Sequence, residues 1–381
     1  MSNTFNDIVP TAFEAAKKVA RELTPAVSLV TTNFKPEVAV GDTIKIPVAG
    51  SATSGAYTPS MTTGAGTDSS DEAISFSLTV NDQTSWHLTG EQQRSLSNAG
   101  MLADWQKQKL EQGMRKLVNG MEALVLLTAK KGASRAVGTA GTTPFATTLG
   151  ILPDLRKVLT DNGCPDDGQR AFVIDTTVAA NALNLAVLQQ ANTAGDSEVM
   201  VNGRIAKRLG FDIRESSQIA LHTKGTGSGY LVDLGAGYAV GDRTIHVDTG
   251  TGTIVDGDVI TIAGTSHKYV VNSGFAGDGD GDIVIGRPGL LVAEADNDAI
   301  TIGNNYTPNV AFHRSAILLA SRVPEIPDGN GSMKQTVITD EVSGLSFLLV
   351  EVVGDGMVTW RLHAVYGAAA VNSEFIAIGM G

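Results

Sequence analysis

Residues 101–130, MLADWQKQKLEQGMRKLVNGMEALVLLTAK, decide how the rest of the chain is read. They hold no proline and good helix formers, with Leu102, Trp105, Leu110, Met114, Leu117, Met121, Leu124 and Thr128 at three-to-five-residue steps. That spacing predicts one helix with one apolar stripe. At 1.5 Å per residue the helix spans roughly 45 Å, more than a small domain usually needs, so it reads as a strut with one buried face.

Upstream of the strut the period changes from helical to alternating. Ile44 and Ile46 alternate with Thr43 and Lys45 within Val38 to Val48, and Ile74, Phe76, Leu78 and Val80 repeat the pattern. Gly50 to Asp71 lies between them, built of Gly, Ser, Thr and Ala with Tyr57, Pro59 and Met61 as the bulky interruptions. The expectation is a long hairpin whose small, polar tip cannot pack on itself and is mobile unless it docks on a neighbour. Earlier still, Thr11-Ala12-Phe13-Glu14 has capping-box spacing, and Phe13, Ala16, Ala20 and Leu23 share a face up to Pro25. This short helix and the extended stretch to Pro36 read as an arm.

Downstream the reading is mixed. Ile151 to Leu159 is expected to be helical, Ala171 to Asp175 a buried strand, Thr177 to Gln190 a helix, and Phe211, Ile213 and Glu215 part of a strand. At about His222 the composition shifts. Residues 222–302 hold 11 Asp and Glu against 4 Lys and Arg, and 16 of the 43 Gly, so this stretch supplies more than half of the chain's charge of -12. Alternating runs such as Thr244-Ile245-His246-Val247 and Val259-Ile260-Thr261-Ile262, separated by Gly/Asp turns, predict an all-β insertion, a small barrel or sandwich. After it, Val310 to Ser321 reads as a helix and Pro324-Glu325-Ile326-Pro327 as a linker. Gln335 to Ala364 reads as strands with a hairpin at Gly354-Asp355-Gly356.

Composition narrows the function. Twenty-eight Lys and Arg against 40 Asp and Glu argue against wrapping on nucleic acid, which requires a basic face. One cysteine, Cys164, leaves no intrachain disulfide and no Cys-based zinc site. No apolar run reaches the ~18 residues of a membrane span, and Met1 to Val9 lacks the basic and apolar regions of a secretion signal, so the expectation is a soluble protein folded inside the cell. Aromatics at 5% leave few anchors for deep pockets.

The chemical motifs are weak. Val247-Asp248-Thr249-Gly250 matches the aspartic-protease triplet, but it occurs once where that chemistry needs two carboxylates, and a β-turn is the better reading. Asp278-Gly279-Asp280-Gly281-Asp282 begins like a calcium loop, yet Ile283 and Gly289 stand where the pattern needs Gly and Glu. A hairpin tip with solvated carboxylates is favoured over weak calcium binding. Gly225-Thr226-Gly227-Ser228-Gly229 lacks the residues of a phosphate loop and reads as a flexible hinge into the insertion. His87, His222, His246, His267, His313 and His363 show no metal-ligand spacing and read mostly as strand or surface residues. Ser266-His267 forms no recognisable nucleophile arrangement, and Cys164 reads as a loop or half-buried thiol. No catalytic, cofactor or metal residue is assigned, and no cofactor is expected.

The C-terminal third carries a resemblance. Asn309-Val310-Ala311-Phe312-His313-Arg314-Ser315-Ala316, followed by Arg322-Val323-Pro324, resembles a stretch in major capsid proteins of tailed double-stranded DNA phages. The similarity is to the coat-protein branch with an inserted β-barrel domain. Gly344-Leu345-Ser346-Phe347, Trp360-Arg361-Leu362-His363 and Tyr366-Gly367 resemble the closing strands, although many members have Asp where His363 stands. Gly257-Asp258-Val259-Ile260-Thr261-Ile262-Ala263-Gly264 resembles a strand-turn signature of the inserted barrel. The order of elements agrees over nearly the whole chain.

The resemblance implies an α+β, Hong Kong 97-like phage capsid fold with an inserted all-β barrel. Its expected parts are an N-terminal arm (1–37), an extended hairpin loop (38–90, with Val40 to Leu88 as the loop) and a peripheral domain with the spine helix (91–150). The first part of an axial domain (151–221, including Arg204 to Ser216), the barrel (222–303) and an axial and peripheral closing segment (304–381) follow. The implied role is structural and not enzymatic, a subunit of the icosahedral virion shell around double-stranded DNA, assembled in the bacterial host cytoplasm. Implied partners are further copies in hexamers and pentamers, a portal and, optionally, a decoration protein, with no membrane and no sequence-specific DNA contact. A separate scaffolding protein is expected because no long charged extension precedes the arm. The rivals are a nanocompartment shell of the same fold, an acidic calcium-binding surface protein and, third, an enzyme. The acidic run 278–282 is expected to pair with Lys or Arg of a neighbouring subunit.

Overall fold

The computed structural model describes residues 25–34, 43–48, 72–189, 205, 207–325, 333–339 and 345–381. The arm helix expected over residues 11–24, the hairpin tip, the linker end at Ile326-Pro327 and Gly344 lie outside them. The helix read from residues 101–130 is α3 (Leu102–Lys131), preceded by the turn α1 (Pro25–Leu29), β1 (Thr31–Phe34), β2 (Thr43–Val48), β3 (Glu72–Ser77), β4 (Val80–Thr89) and α2 (Gly90–Asn98). Thr89 caps α2 in a reciprocal box with Gln92. After α3 come β5 (Arg135–Val137), α4 (Ile151–Asp161), β6 (Arg170–Ile174), α5 (Thr176–Asn184), α6 (Ala186–Gln189) and β7 (Asp212–Glu215). The helix expected over 177–190 is therefore interrupted at Leu185, whose backbone is extended and whose side chain is buried.

The acidic segment supplies β8 (Leu231–Val232), β9 (Thr244–Gly250), β10 (Val259–Ile262), β11 (Tyr269–Ser273), β12 (Gly279–Ile285) and β13 (Ile300–Ile302). The chain closes with β14 (Pro308–His313), β15 (Ile317–Arg322), β16 (Met333–Thr339), β17 (Ser346–Val353), β18 (Met357–Ala370) and β19 (Ile376–Met380). The helix expected over Val310 to Ser321 is instead β14 and β15, joined by a single 3-10 turn at Arg314–Ala316. All six residues of β14 are buried, because it is the centre of a sheet covered on both faces. A continuous apolar run of that kind carries no period that separates strand from helix.

Three strand systems result. The first has the order β1-β15-β18-β17-β16, with β4 on the other side of β18. The apolar stripe of α3 lies on it: Leu110, Met114, Leu117, Val118 and Met121 share a core with Leu88, Leu349, Trp360, Leu362 and Tyr366. Each such side chain contributes about 1.5–3 kcal/mol relative to exposure. The second runs β7-β6-β14-β19-β5 and, with α4 and α5, encloses Phe145, Leu155, Phe172, Val178 and Phe211. The third is the acidic segment, where neighbours pair in the order β8-β9-β12-β11-β10-β13 and a bridge from Leu231 to Ala299 joins the ends into a ring. Inside sit Val232, Ile245, Val247, Ile260, Val271, Ile283 and Ile285, all buried.

Two expectations about elements change here. The loop reading to Leu88 gives way at Val80, where β4 begins ten residues of antiparallel pairing to β18. The hairpin proper is β2 with β3, a two-stranded sheet. Asp248-Thr249-Gly250, expected as a β-turn, ends β9, with Thr249 at φ 56° beside a register shift in β12.

Candidate functional site

Among the described residues, buried charged and aromatic side chains gather where one part of the fold meets another. The first such place is the neck of the β insertion. The segment leaves the body at His222 and returns at Tyr306, and these two residues pair as an antiparallel bridge, with His222 N–H to Tyr306 O at 2.9 Å. Their rings meet at 5.0 Å, tilted by 50°. His222 Nε2 meets Asp258 Oδ1 at 2.8 Å, and its Nδ1 faces Lys130 Nζ at 3.2 Å. An ammonium can only donate, so Nδ1 carries the lone pair and Nε2–H donates to Asp258.

Asp258 is 1% exposed and also accepts from Val255 N–H at 2.9 Å and Gly225 N–H at 3.1 Å. Tyr306 Oη donates to Gly257 O at 2.6 Å, and Lys131 pairs with Asp256 at 3.3 Å. The last two lysines of α3 thus grip one turn of the insertion, residues 256–258. Burial, and then the neighbouring Lys131, hold Lys130 below the usual ammonium range, while Asp258 and Asp256 oppose the change.

Gly225 to Gly229, expected as a flexible hinge, is packed rather than free. Gly227 N–H donates to Thr253 O at 2.8 Å, and a Cβ on Gly225 would stand 2.1 Å from that same oxygen. Gly225 and Gly227 are there for close approach of two backbones, whereas Gly229 has open space and a φ of +73°.

The second place is the acidic run. Asp280 Oδ1 lies 2.8 Å from His246 Nε2, Asp282 Oδ1 lies 2.7 Å from His246 Nδ1, and Asp233 approaches Nε2 at 3.8 Å. Asp278 accepts from Gly252 N–H at 2.5 Å. Asp280 and Asp282 keep 76% and 62% of their side-chain surface exposed, as expected of a solvated tip, while both also bond to His246 within the chain. Hydrogen bonding from Asp282, together with the charges of Asp280, Asp282 and Asp233, holds the His246 proton above the usual imidazole range, against partial burial. Its contribution is complete below about 6.5 and fades as pH rises through the raised value.

The third place is the inner face of α3. Glu122 is fully buried; Ser216 Oγ donates to its Oε1, the backbone of Ala26 bonds to it, and Oε2 has no hydrogen-bond partner among the described residues. Burial pushes this carboxyl up to about 7, more than the two hydrogen bonds pull it down. The fourth is the hairpin root, where Phe76 and Leu78 are buried against Ala320, Val365 and Ala369.

The remaining motif residues do not converge. Cys164 is buried beside Pro165 O, its thiol pushed up by burial. His313, the last residue of β14, is buried between Asp167 at 3.1 Å and Ser315 at 2.8 Å. His87 is exposed on β4, His363 is half-buried on β18, and His267 lies 6.2 Å from Tyr269. Among the described residues no group of His, Cys, Asp and Glu is arranged to hold a metal ion, and no helix is long and apolar enough to cross a membrane. Glu122, Lys130, Asp258 and Tyr306 were not singled out from the sequence. Glu122 had a readable signal, one carboxylate on the apolar stripe of a helix between Val118 and Val125.

No protein-family profile matches the sequence, and no curated protein does. Solved structures do. A structure from Mycobacterium phage Che8 aligns over 93% of this chain and 90% of its own, with a TM-score of 0.51 at 13% identity. The chain has the Hong Kong 97-like capsid fold. A bacteriophage PhiM1 mature capsid aligns over 94% of this chain and 86% of its own, with a TM-score of 0.47 at 9% identity. A virus-like particle from Pyrococcus furiosus covers 99% of both chains, with a TM-score of 0.42 at 10% identity. Of these three, the Che8 structure is the one with a TM-score above 0.5.

Proposed function

We propose that this chain is the structural major capsid protein of a tailed phage, assembling with copies of itself into an icosahedral shell around double-stranded DNA. The observation that carries this reading is the β2–β3 hairpin. A two-stranded sheet is marginal in water on its own, and this one packs through Phe76, Leu78 and Ile46 at its root. The sequence between its strands, from Ala49 to Asp71, is mostly small and polar, so the rest of the hairpin needs another subunit's surface. An acidic chain also suits a container from which DNA must pass in and out, since a basic wall would hold the phosphates. The role is structural, with no chemistry asked of any side chain. A portal and a separate scaffolding protein belong to the same reading.

The test is sedimentation followed by negative-stain microscopy of the chain expressed with its neighbouring genes. Uniform closed shells are expected, with spirals or oversized shells when the scaffold gene is omitted. A monomer under both conditions overturns the assembly reading, and closed shells that enclose protein cargo and no DNA overturn the phage part of it.

A further inference from the structure

We infer that Glu122 is a proton-controlled latch that seats the turn α1 against the long helix and the central sheet. The argument is geometric. Glu122 sits where three separate segments meet: α1, whose Ala26 backbone bonds to the carboxyl, α3, which carries it, and Ser216 just past β7, whose hydroxyl donates to Oε1. Ala26, Val27 and Val30 close the site from the α1 side, each 2% exposed or less.

The second carboxyl oxygen is buried without a hydrogen-bond partner among the described residues. No charged side chain among them contributes to its ionisation. The charged residues on the packed elements are engaged elsewhere or point to solvent. Arg214 pairs with Asp212 at 3.0 Å, Glu215 is exposed, and Arg170 on β6 donates to Pro165 O and Cys164 O. α1 itself, PAVSL, has no titratable side chain.

Protonated, the carboxyl fits an apolar pocket closed by one hydroxyl and one amide. Ionised, it leaves a charged, buried oxygen without a donor among the described residues, and the cheapest remedy is to lift α1 and admit solvent. The sign follows from linkage: the seated state binds a proton that the open state, with an ordinary carboxyl near 4.5, gives up, so opening becomes easier as pH rises and levels off once pH passes about 7. This inference concerns the chain itself and does not depend on the shell reading.

The test is hydrogen exchange of full-length protein, following the peptide spanning residues 25–34 between pH 5 and 8 after correction for intrinsic chemical exchange. The expected result is an opening population that rises about tenfold per pH unit from ~5 to ~7 and then flattens, while the peptide spanning 346–363 stays level. Glu122→Gln removes the slope. Ser216→Ala, which withdraws a bond favouring the ionised form, shifts the plateau to higher pH and keeps the test available if the Gln variant does not fold. A flat profile in the unaltered protein, or an equal slope in Glu122→Gln, overturns the latch.

Discussion

Gly225 shows how much one missing methyl can decide. Its N–H reaches the Asp258 carboxylate because nothing stands between its Cα and the backbone of Thr253. Gly225→Ala is expected to destabilise the β insertion by about 1–3 kcal/mol or more, since the obstructing atom is a carbonyl oxygen that cannot swing away. The measurement is urea unfolding read against Gly229→Ala. Gly229 has open space around its Cβ position but φ +73°, so it isolates backbone strain from the clash. Equal losses in the two variants would show that the close approach is not what Gly225 supplies. Little of this was legible beforehand: a Gly-rich run reads alike whether it is a hinge or a point where two backbones touch, because the difference lies in a partner, Thr253, on the far side of β8 and β9.

The long helix was legible almost to its ends, because thirty residues of one period leave no competing reading. What the pattern did not reveal is why it contains Gly113 and Gly120, each costing about 1 kcal/mol against Ala in a helix. They stand two turns apart, on the face that meets the sheet. A Cβ on Gly113 would lie 2.9 Å from Thr84 Oγ1, and one on Gly120 2.6 Å from Tyr366 Oη, whose hydroxyl donates to Asp82. Gly120→Ala is expected to lower stability by up to about 2 kcal/mol despite its better propensity. With Tyr366→Phe in the background the same change should be neutral or stabilising. A double-mutant cycle by thermal unfolding measures the coupling, and strict additivity would sink this account. β14 marks the opposite limit: a fully buried strand erases its own period, and its identity comes from the partners β6 and β19 on either side.

At the scale of the molecule, the insertion enters and leaves through paired residues, so the body does not need it to close its own chain. Replacing residues 223–305 by two glycines is expected to leave most of the α3 core and the central sheet folded, with loss of the β5–β11 bridge, the Lys131–Asp256 pair and the Val259 and Val270 side chains that pack into that core. Calorimetry should then show the body's unfolding transition at reduced temperature with a smaller enthalpy. A chain without any cooperative transition would mean that the insertion is part of the body's core. The boundary near 222 could be read from composition, because an acidic, Gly-rich β stretch differs from its surroundings. The neck chemistry could not, since Lys130, His222, Asp258 and Tyr306 are scattered from the end of α3 to the far side of the insertion.

The placement of β18 carries one more consequence. It is flanked by β4 from Met357 to Tyr366 on one side, and by β17 up to His363 and β15 from Val365 onward on the other. A strand pulled along its length in that position cannot peel away one bond at a time, because the ladders on both edges resist together. If tension runs through this chain, it will be borne in shear by β18, and rupture will begin where a strand of this sheet has a ladder on one edge alone, at β1, β4 or β16.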